Sequence, residues 1–152
     1  MALYLVQHGK SLAKELDPER GLSPVGISET KKIAEFAFQQ GLLVNQIFHS
    51  GKKRAEQTAH LFAQVIRPTP QIAQLDGLNP MDDVTQFAEL LENRQNTLYV
   101  GHLPFMEKLV GFLTTRNANN LVLKFQNSGI VCVEQIEDDR RWSIKWSLVP
   151  HF

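Results

Sequence analysis

Along the first two thirds of the chain, short apolar runs alternate with segments whose apolar residues recur at helical spacing. Residues 3–6, 46–49 and 96–100 predict buried strands, since each run is short and ends at a turn. Residues 24–40, 52–66, 82–92 and 103–115 predict helices. Ser23 followed by Pro24 predicts the start of the first helix, and Gly41 its end. The predicted apolar face of that helix comprises Ile33, Ala34, Ala37 and Phe38.

The last third of the chain has a different pattern. Residues 121–125, 128–135 and 142–148 alternate like strands. Asp138 and Asp139 predict a hairpin turn between the last two of them. Trp142 and Trp146 are four positions apart, so we expect both to lie on one face of the last strand.

The order of these elements predicts an α/β fold. Strands separated by helices indicate a mainly parallel sheet with helices on both faces, a three-layer sandwich. The chain has 152 residues and no repeat or linker, so we expect a single domain over residues 1–152. Ligands of such sheets bind beyond the carboxyl ends of the strands.

Charge and composition narrow the functional classes. Lys+Arg and Asp+Glu both number 16, so the formal net charge is zero. This balance argues against a general nucleic-acid binder but permits a local basic pocket. The only cysteine, Cys132, lies in an apolar run and indicates a buried thiol rather than a disulfide. No Cys/His cluster has the spacing of a zinc site.

We found no sign of a membrane protein in the sequence. No run approaches the roughly 18 apolar residues of a membrane span. The apolar N-terminus lacks the basic region of a signal peptide. We therefore expect a cytoplasmic protein.

Basic side chains follow directly after three predicted strands: His8 and Lys10 after the first, Arg54 after the second and His102 after the third. Parallel neighbours would bring all of them to one edge of the sheet. Such a cluster repels itself unless an anion lies within it, and phosphate is the natural candidate. A helix beginning after Ser50 would direct its first amides at that anion. A lone strand-end histidine is more often a packing residue, so this hypothesis depends on the convergence.

Two other kinds of catalytic site fit the sequence poorly. Residues 9–11 read Gly-Lys-Ser, but a phosphate-binding P-loop needs a further glycine where Tyr4 stands. The nucleophile elbow of serine hydrolases, G-x-S-x-G, is absent. His49, His60 and His151 lack the spacing of catalytic partners.

Four segments of the chain resemble the histidine phosphatase superfamily, in particular its small SixA-type phosphohistidine phosphatase branch. Residues 3–9 (LYLVQHG) are similar to the first strand with its R-H-G signature, and residues 22–26 (LSPVG) to the segment before the first helix. Residues 50–58 (SGKKRAEQT) resemble the run S-x-x-x-R-A-x-Q-T very closely. Residues 100–104 (VGHLP) are similar to the segment with the second catalytic histidine.

The resemblance implies a phosphatase that needs no metal or other cofactor. His8 would attack phosphorus and form a phosphohistidine intermediate. Arg54 and His102 would hold the phosphoryl oxygens. A backbone carbonyl near Gly9 is the candidate that fixes the tautomer of His8. Ser50 and Gln57 are expected to shape the loop and helix start.

The chain departs from the family at two positions. Gln7 stands where the family has a phosphate-binding arginine, so it offers neutral hydrogen bonds without a charge. We expect Lys10, two residues after His8, to compensate for that charge. Larger members also carry an acid that protonates the leaving group. Gly77 takes its place here, which makes the neighbouring Asp76 the candidate proton donor.

Two functional hypotheses follow. The first is a phosphatase acting on phosphohistidine in proteins or on a small phosphorylated substrate. The alternative is a weakly active or inactive module that binds phosphate or phosphoprotein, because Gln7 replaces the arginine. A mutase is a third hypothesis, and we expect the chain to be too short for the substrate-enclosing insertion that a mutase would need.

Overall fold

The central sheet of the protein has six strands. The computed structural model describes residues 2–92, 94–137 and 139–151. Within these residues the elements are β1 (Ala2–Gln7), α1 (Pro24–Gln39), β2 (Gln46–His49), α2 (Lys53–Val65), β3 (Gln71–Gln74), α3 (Val84–Leu91), β4 (Thr97–Gly101), α4 (Phe105–Thr115), β5 (Ile130–Gln135) and β6 (Trp142–Leu148). The strand order is β3-β2-β4-β1-β5-β6.

The sheet is parallel over four strands and antiparallel over the last two. Strands β3, β2, β4 and β1 pair in parallel, whereas β5 is antiparallel to β1 and β6 is antiparallel to β5. Helices α1 and α2 bury their apolar residues against one face, and α3 and α4 cover the other. The predicted α/β sandwich with a mainly parallel sheet is confirmed. No helix in the described part of the chain has the length and apolar character to cross a membrane.

The helix starts follow the sequence signals closely. The Ser23 hydroxyl accepts a hydrogen bond from the Gly26 amide at 3.0 Å, and Pro24 occupies the first helical position. Asp83 caps α3 in the same way through the Thr85 amide, at 2.9 Å. One apolar prediction for α1 is wrong: Phe38 is 37% exposed, because the buried face is centred on the smaller side chains of Ala34 and Ala37.

The edges of the sheet were predicted less well. β3 went unpredicted because it is an edge strand with a single half-buried apolar side chain, Ile72. Residues 121–125 form no strand, contrary to prediction. Both edges of β5 are already occupied by β1 and β6, so this segment has no strand to pair with there. It packs beside α4 instead, where the Phe125 amide donates to Glu107 Oε2 at 2.9 Å.

The two tryptophans of β6 lie on opposite faces, contrary to prediction. The register shifts between Cys132 and Val133, which pair with Trp146 and Ile144 respectively. One extra residue on β6 therefore reverses the alternation of side chains. Trp142 consequently packs under α3 and α4, and Trp146 packs on the opposite face. Asp138 of the predicted hairpin turn lies outside the described residues.

Candidate active site

Three parallel strands end at one edge of the sheet and bring the predicted segments together. In the register of the sheet, Gln7 of β1 pairs with Gly101 of β4, and His49 of β2 pairs with Val100. The residues that follow these strands, His8, Ser50 and His102, therefore start from the same edge. The predicted convergence of the three segments is confirmed.

His8 is held as a neutral imidazole. Its Nδ1 lies 2.7 Å from the carbonyl oxygen of Gly9, so Nδ1 carries the proton and donates, and Nε2 retains its lone pair. The pKa of His8 is lowered to about 4, mainly by burial and to a lesser extent by the charges of Arg54 and Arg20, while the bond to Gly9 acts in the opposite direction. The expected role of a carbonyl near Gly9 is confirmed by this contact. At neutral pH the ring therefore has one unprotonated nitrogen, Nε2, with a free lone pair.

His102 lies against His8 at the bottom of the site. The two ring centroids are 4.9 Å apart, with an interplanar angle of 51°. His102 Nε2 lies 2.6 Å from Ser50 Oγ. The pKa of His102 is lowered to about 3, mainly by burial; the charges of Arg54 and Lys52 act in the same direction, as a proton on His8 would. An anion between these groups would reverse that mutual repulsion.

Arg54 supplies a fixed positive charge from the first turn of α2. Burial lowers the pKa of its guanidinium, and the neighbouring charge of Arg20 adds to the effect. The side chain of Lys52, the N-cap of α2, makes no capping hydrogen bond. The start of α2 therefore offers backbone amides beside the arginine, an arrangement suited to a phosphoryl group.

Gln7 precedes His8 in the chain and is buried, with 8% of its surface exposed. Its Oε1 is buried and has no hydrogen-bond partner among the described residues. The side chain lines a pocket of about 390 Å³ together with Lys10, Leu103 and Asn127, among others. Lys10 Nζ lies 3.5 Å from Glu29 Oε1, so the structure pairs this lysine with a carboxylate.

Asp76 follows β3, whose last residue, Gln74, pairs with His49 of β2 at the same edge of the sheet. It is exposed and lines a groove along the start of α3, with Asp82 and Asp83 in the same groove. Neither His8 nor His102 lines that groove. Its role as a proton donor stays a prediction, and the geometry offers no contact in its favour.

Comparisons with known proteins give the fold. No family model matches the chain. An uncharacterised protein of Picosynechococcus sp. is 33% identical over 113 residues, which cover 68% of this chain and 67% of that protein. The structure of the protein histidine phosphatase SixA complexed with tungstate matches with a TM-score of 0.86 and 23% identity, over 99% of this chain and 97% of that one. A candidate phosphohistidine phosphatase SixA from Agrobacterium tumefaciens matches with a TM-score of 0.79 and 24% identity, over 98% and 97%.

This chain has the histidine phosphatase fold. It also belongs to one family with the Picosynechococcus protein. The histidine phosphatase fold places the four segments that resemble the superfamily around one edge of the sheet. Gln57 joins two of these segments, since its Oε1 accepts a hydrogen bond from the Leu22 amide at 2.7 Å. Gln57 thus shapes the helix start as expected, whereas Ser50 contacts His102 directly.

Sequence reasoning missed Arg20, whose charge reaches both His8 and Arg54. Arg20 has a positive φ of 52° and follows a turn that Asp17 holds by accepting from the Gly21 amide at 2.9 Å. Asp17 also pairs with Lys53 at 2.9 Å, which ties this turn to the start of α2. In the sequence Arg20 is one cation in a polar loop, so only its position before residues 22–26 could have suggested a role in this histidine phosphatase fold.

Proposed function

We propose that this chain is a metal-independent phosphatase that uses His8 as its nucleophile and acts on phosphohistidine in proteins. The observation that carries the proposal is the state of His8. Its ring is neutral, its Nδ1 proton is bonded to Gly9, and it lies beside His102 and the charge of Arg54. A histidine phosphatase fold whose structural neighbours include the protein histidine phosphatase SixA supports the same reaction.

In the first step, His8 Nε2 attacks phosphorus in line. A bond forms between Nε2 and phosphorus while the bond from phosphorus to the leaving group breaks, and the leaving group departs with the electron pair. Water then attacks the phosphohistidine, which releases inorganic phosphate and restores the neutral ring. Arg54 and His102 hold the phosphoryl oxygens as negative charge spreads over them. Arg20 adds a second guanidinium close to the same position.

The leaving group points to a phosphoramidate substrate. Asp76 is the acid that the sequence suggests for protonating an alkoxide, and among the described residues it makes no hydrogen bond to His8 or His102. The imidazole of a phosphohistidine leaves with less help, since its P–N bond is labile. A loose transition state depends more on charge stabilisation than on proton transfer. These features favour phosphohistidine over sugar phosphates.

Gln7 favours a second candidate, a module that binds phosphate or phosphoprotein with little turnover. A charge-assisted hydrogen bond contributes about 1.5–3 kcal/mol and a neutral one about 1. Gln7 thus offers less stabilisation than the arginine that it replaces. Lys10 is already paired with Glu29, which weakens its case as the compensating charge.

Release of phosphate from a phosphohistidine-bearing protein in the presence of a chelator tests the proposal. The native chain should turn over, and His8→Ala should abolish turnover while phosphate still binds. His60→Ala is the matched control, since His60 is exposed on α2 and should leave the rate unchanged. Absence of turnover in the native chain, together with phosphate binding that survives in His8→Ala, would support the binding module instead.

A further inference from the structure

The peptide bond between His8 and Gly9 is held at both of its polar atoms. Its oxygen, the carbonyl of His8, accepts from Asn127 Nδ2 at 3.1 Å and from the Ser128 amide at 3.2 Å. Its N–H, the amide of Gly9, donates to Thr58 Oγ1 at 3.0 Å. Partners on opposite edges fix the rotation of this peptide plane.

Each anchor is itself immobilised. The Thr58 hydroxyl donates to the Arg54 carbonyl at 2.8 Å, and Thr58 is fully buried. Ser128 is also fully buried, has a positive φ of 69°, and its hydroxyl lies 2.7 Å from that of Thr30. A non-glycine residue keeps such a φ only where its surroundings demand it.

Gly9 allows this close fit. A Cβ at this position would lie 2.7 Å from Thr30 Oγ1 and 3.1 Å from Ser128 Oγ. The backbone of Gly9 therefore packs directly on the hydroxyl pair. The next carbonyl, that of Gly9, is the one that accepts from His8 Nδ1.

We propose that Thr58 and Asn127 are positioning residues for His8: by clamping the His8–Gly9 peptide they aim the Gly9 carbonyl, which fixes the tautomer and direction of the His8 ring. The inference takes the role of His8 from the proposed function. Thr58 further links the nucleophile to the turn that carries Arg54, because one hydroxyl contacts both backbones.

The test is Thr58→Val, which keeps the shape of the side chain but removes the partner of the Gly9 amide. We expect ¹⁵N NMR of the free protein to show His8 losing its preference for the Nδ1–H tautomer. We expect kcat to fall by up to about 10²-fold with KM nearly unchanged, since misplacement of a reacting group has effects of that size. Thr58→Ser should restore both, because it keeps the hydroxyl.

Thr114→Val is the matched control. Thr114 lies on α4 and its hydroxyl donates to the Val110 carbonyl at 2.8 Å, the same bond within a helix that Thr58 makes to Arg54. This variant should leave the tautomer of His8 and kcat unchanged. A fall in kcat of equal size in both valine variants would overturn the inference in favour of general destabilisation.

Asn127→Ala provides a second test if Thr58→Val does not fold, because Asn127 is only half-buried. It removes one of the two donors to the His8 carbonyl and should produce the same changes at smaller amplitude. An unchanged His8 tautomer in the folded variants would overturn the inference. The NMR readout needs no substrate, so a native chain without turnover would defeat the proposed function and still leave the positioning role decided.

Discussion

The two sides of β1 contribute different things to the site. On one side, β4 and β2 run parallel to β1 and deliver side chains: His102 after β4, and Ser50 with Arg54 after β2. On the other side, β5 runs antiparallel, so its beginning lies at the same edge. The loop before β5 contributes mainly backbone groups. The Gly129 carbonyl accepts from the backbone amide of Gln7, and the backbone amide of Ser128 donates to the His8 carbonyl. The side-chain amide of Asn127 donates to the same carbonyl.

This difference shows how direction determines the contribution of a strand. Parallel strands lead into helices whose first turns point at the edge, which suits the binding of an anion. The antiparallel strand brings in a tight loop whose amides and carbonyls can brace the nucleophile. We therefore expect changes on the parallel side to affect the chemistry most, and changes on the antiparallel side to affect its geometry.

The largest effect in this comparison is expected from Arg54→Lys. A lysine keeps the charge but loses the planar fork that binds two phosphoryl oxygens. We expect kcat/KM to fall by about 10²–10³-fold, the size found when one preorganised donor is removed. Steady-state kinetics on a phosphohistidine protein measures it, with Arg67→Lys as control because Arg67 contacts only its own end of α2. Equal rates in the two variants would show that Arg54, which follows the parallel strand β2, does not take part in the reaction.

A smaller, opposite effect is expected from Gln7→Arg. Gln7 is the last residue of β1, and its side chain lines the pocket that also includes Lys10 and Asn127. The arginine would add a charge-assisted hydrogen bond of about 1.5–3 kcal/mol in place of about 1, which corresponds to roughly a tenfold rise in kcat/KM. The same phosphate-release assay measures the change. A fall would mean that the pocket is adapted to the neutral amide.

A third effect concerns stability in mild acid. His8 and His102 take up a proton near pH 6.5 when unfolded, but their pKa values are lowered to about 4 and about 3 in the fold. The unfolded chain therefore binds more protons between these values, and stability decreases as pH falls from 6.5 towards 4. Thermal unfolding at successive pH values should show this decrease, and His102→Asn should make it shallower. If the stability of His102→Asn fell with pH as steeply as that of the native chain, the pH dependence would come from groups outside the site.

How well the sequence predicted each element depended on how local its cause was. The helix start at Ser23 and Pro24 has a local cause, and it was predicted. Whether a segment joins the sheet depends on which strand edges are free. The edge strand β3 was not predicted for this reason, and the strand predicted over residues 121–125 is absent. The prediction that Phe38 lies on the buried face of α1 was wrong, because the helix packs through a narrower face than its apolar residues suggest.

The candidate site shows the same division. His8, Arg54 and His102 could be identified because each follows a strand whose apolar run is visible in the sequence. The charge of Arg20 at the site, and the pairing of Lys10 with Glu29, could not be inferred from a polar loop. Asp76 stays a predicted proton donor: it follows β3 at the same edge of the sheet, and its side chain lines a groove along the start of α3.

The sequence by itself determined the α/β class, the helix starts and the three strand ends that bear the basic residues, because these follow from periodicity and capping over a few residues. The tertiary structure alone decided what holds His8. The anchors of the His8–Gly9 peptide lie 49 and 119 residues away in the chain. It also decided the faces of Trp142 and Trp146, because one extra residue in β6 reverses an alternation that the sequence shows as continuous. Contacts between distant segments have no local pattern, so packing of the whole chain determines them.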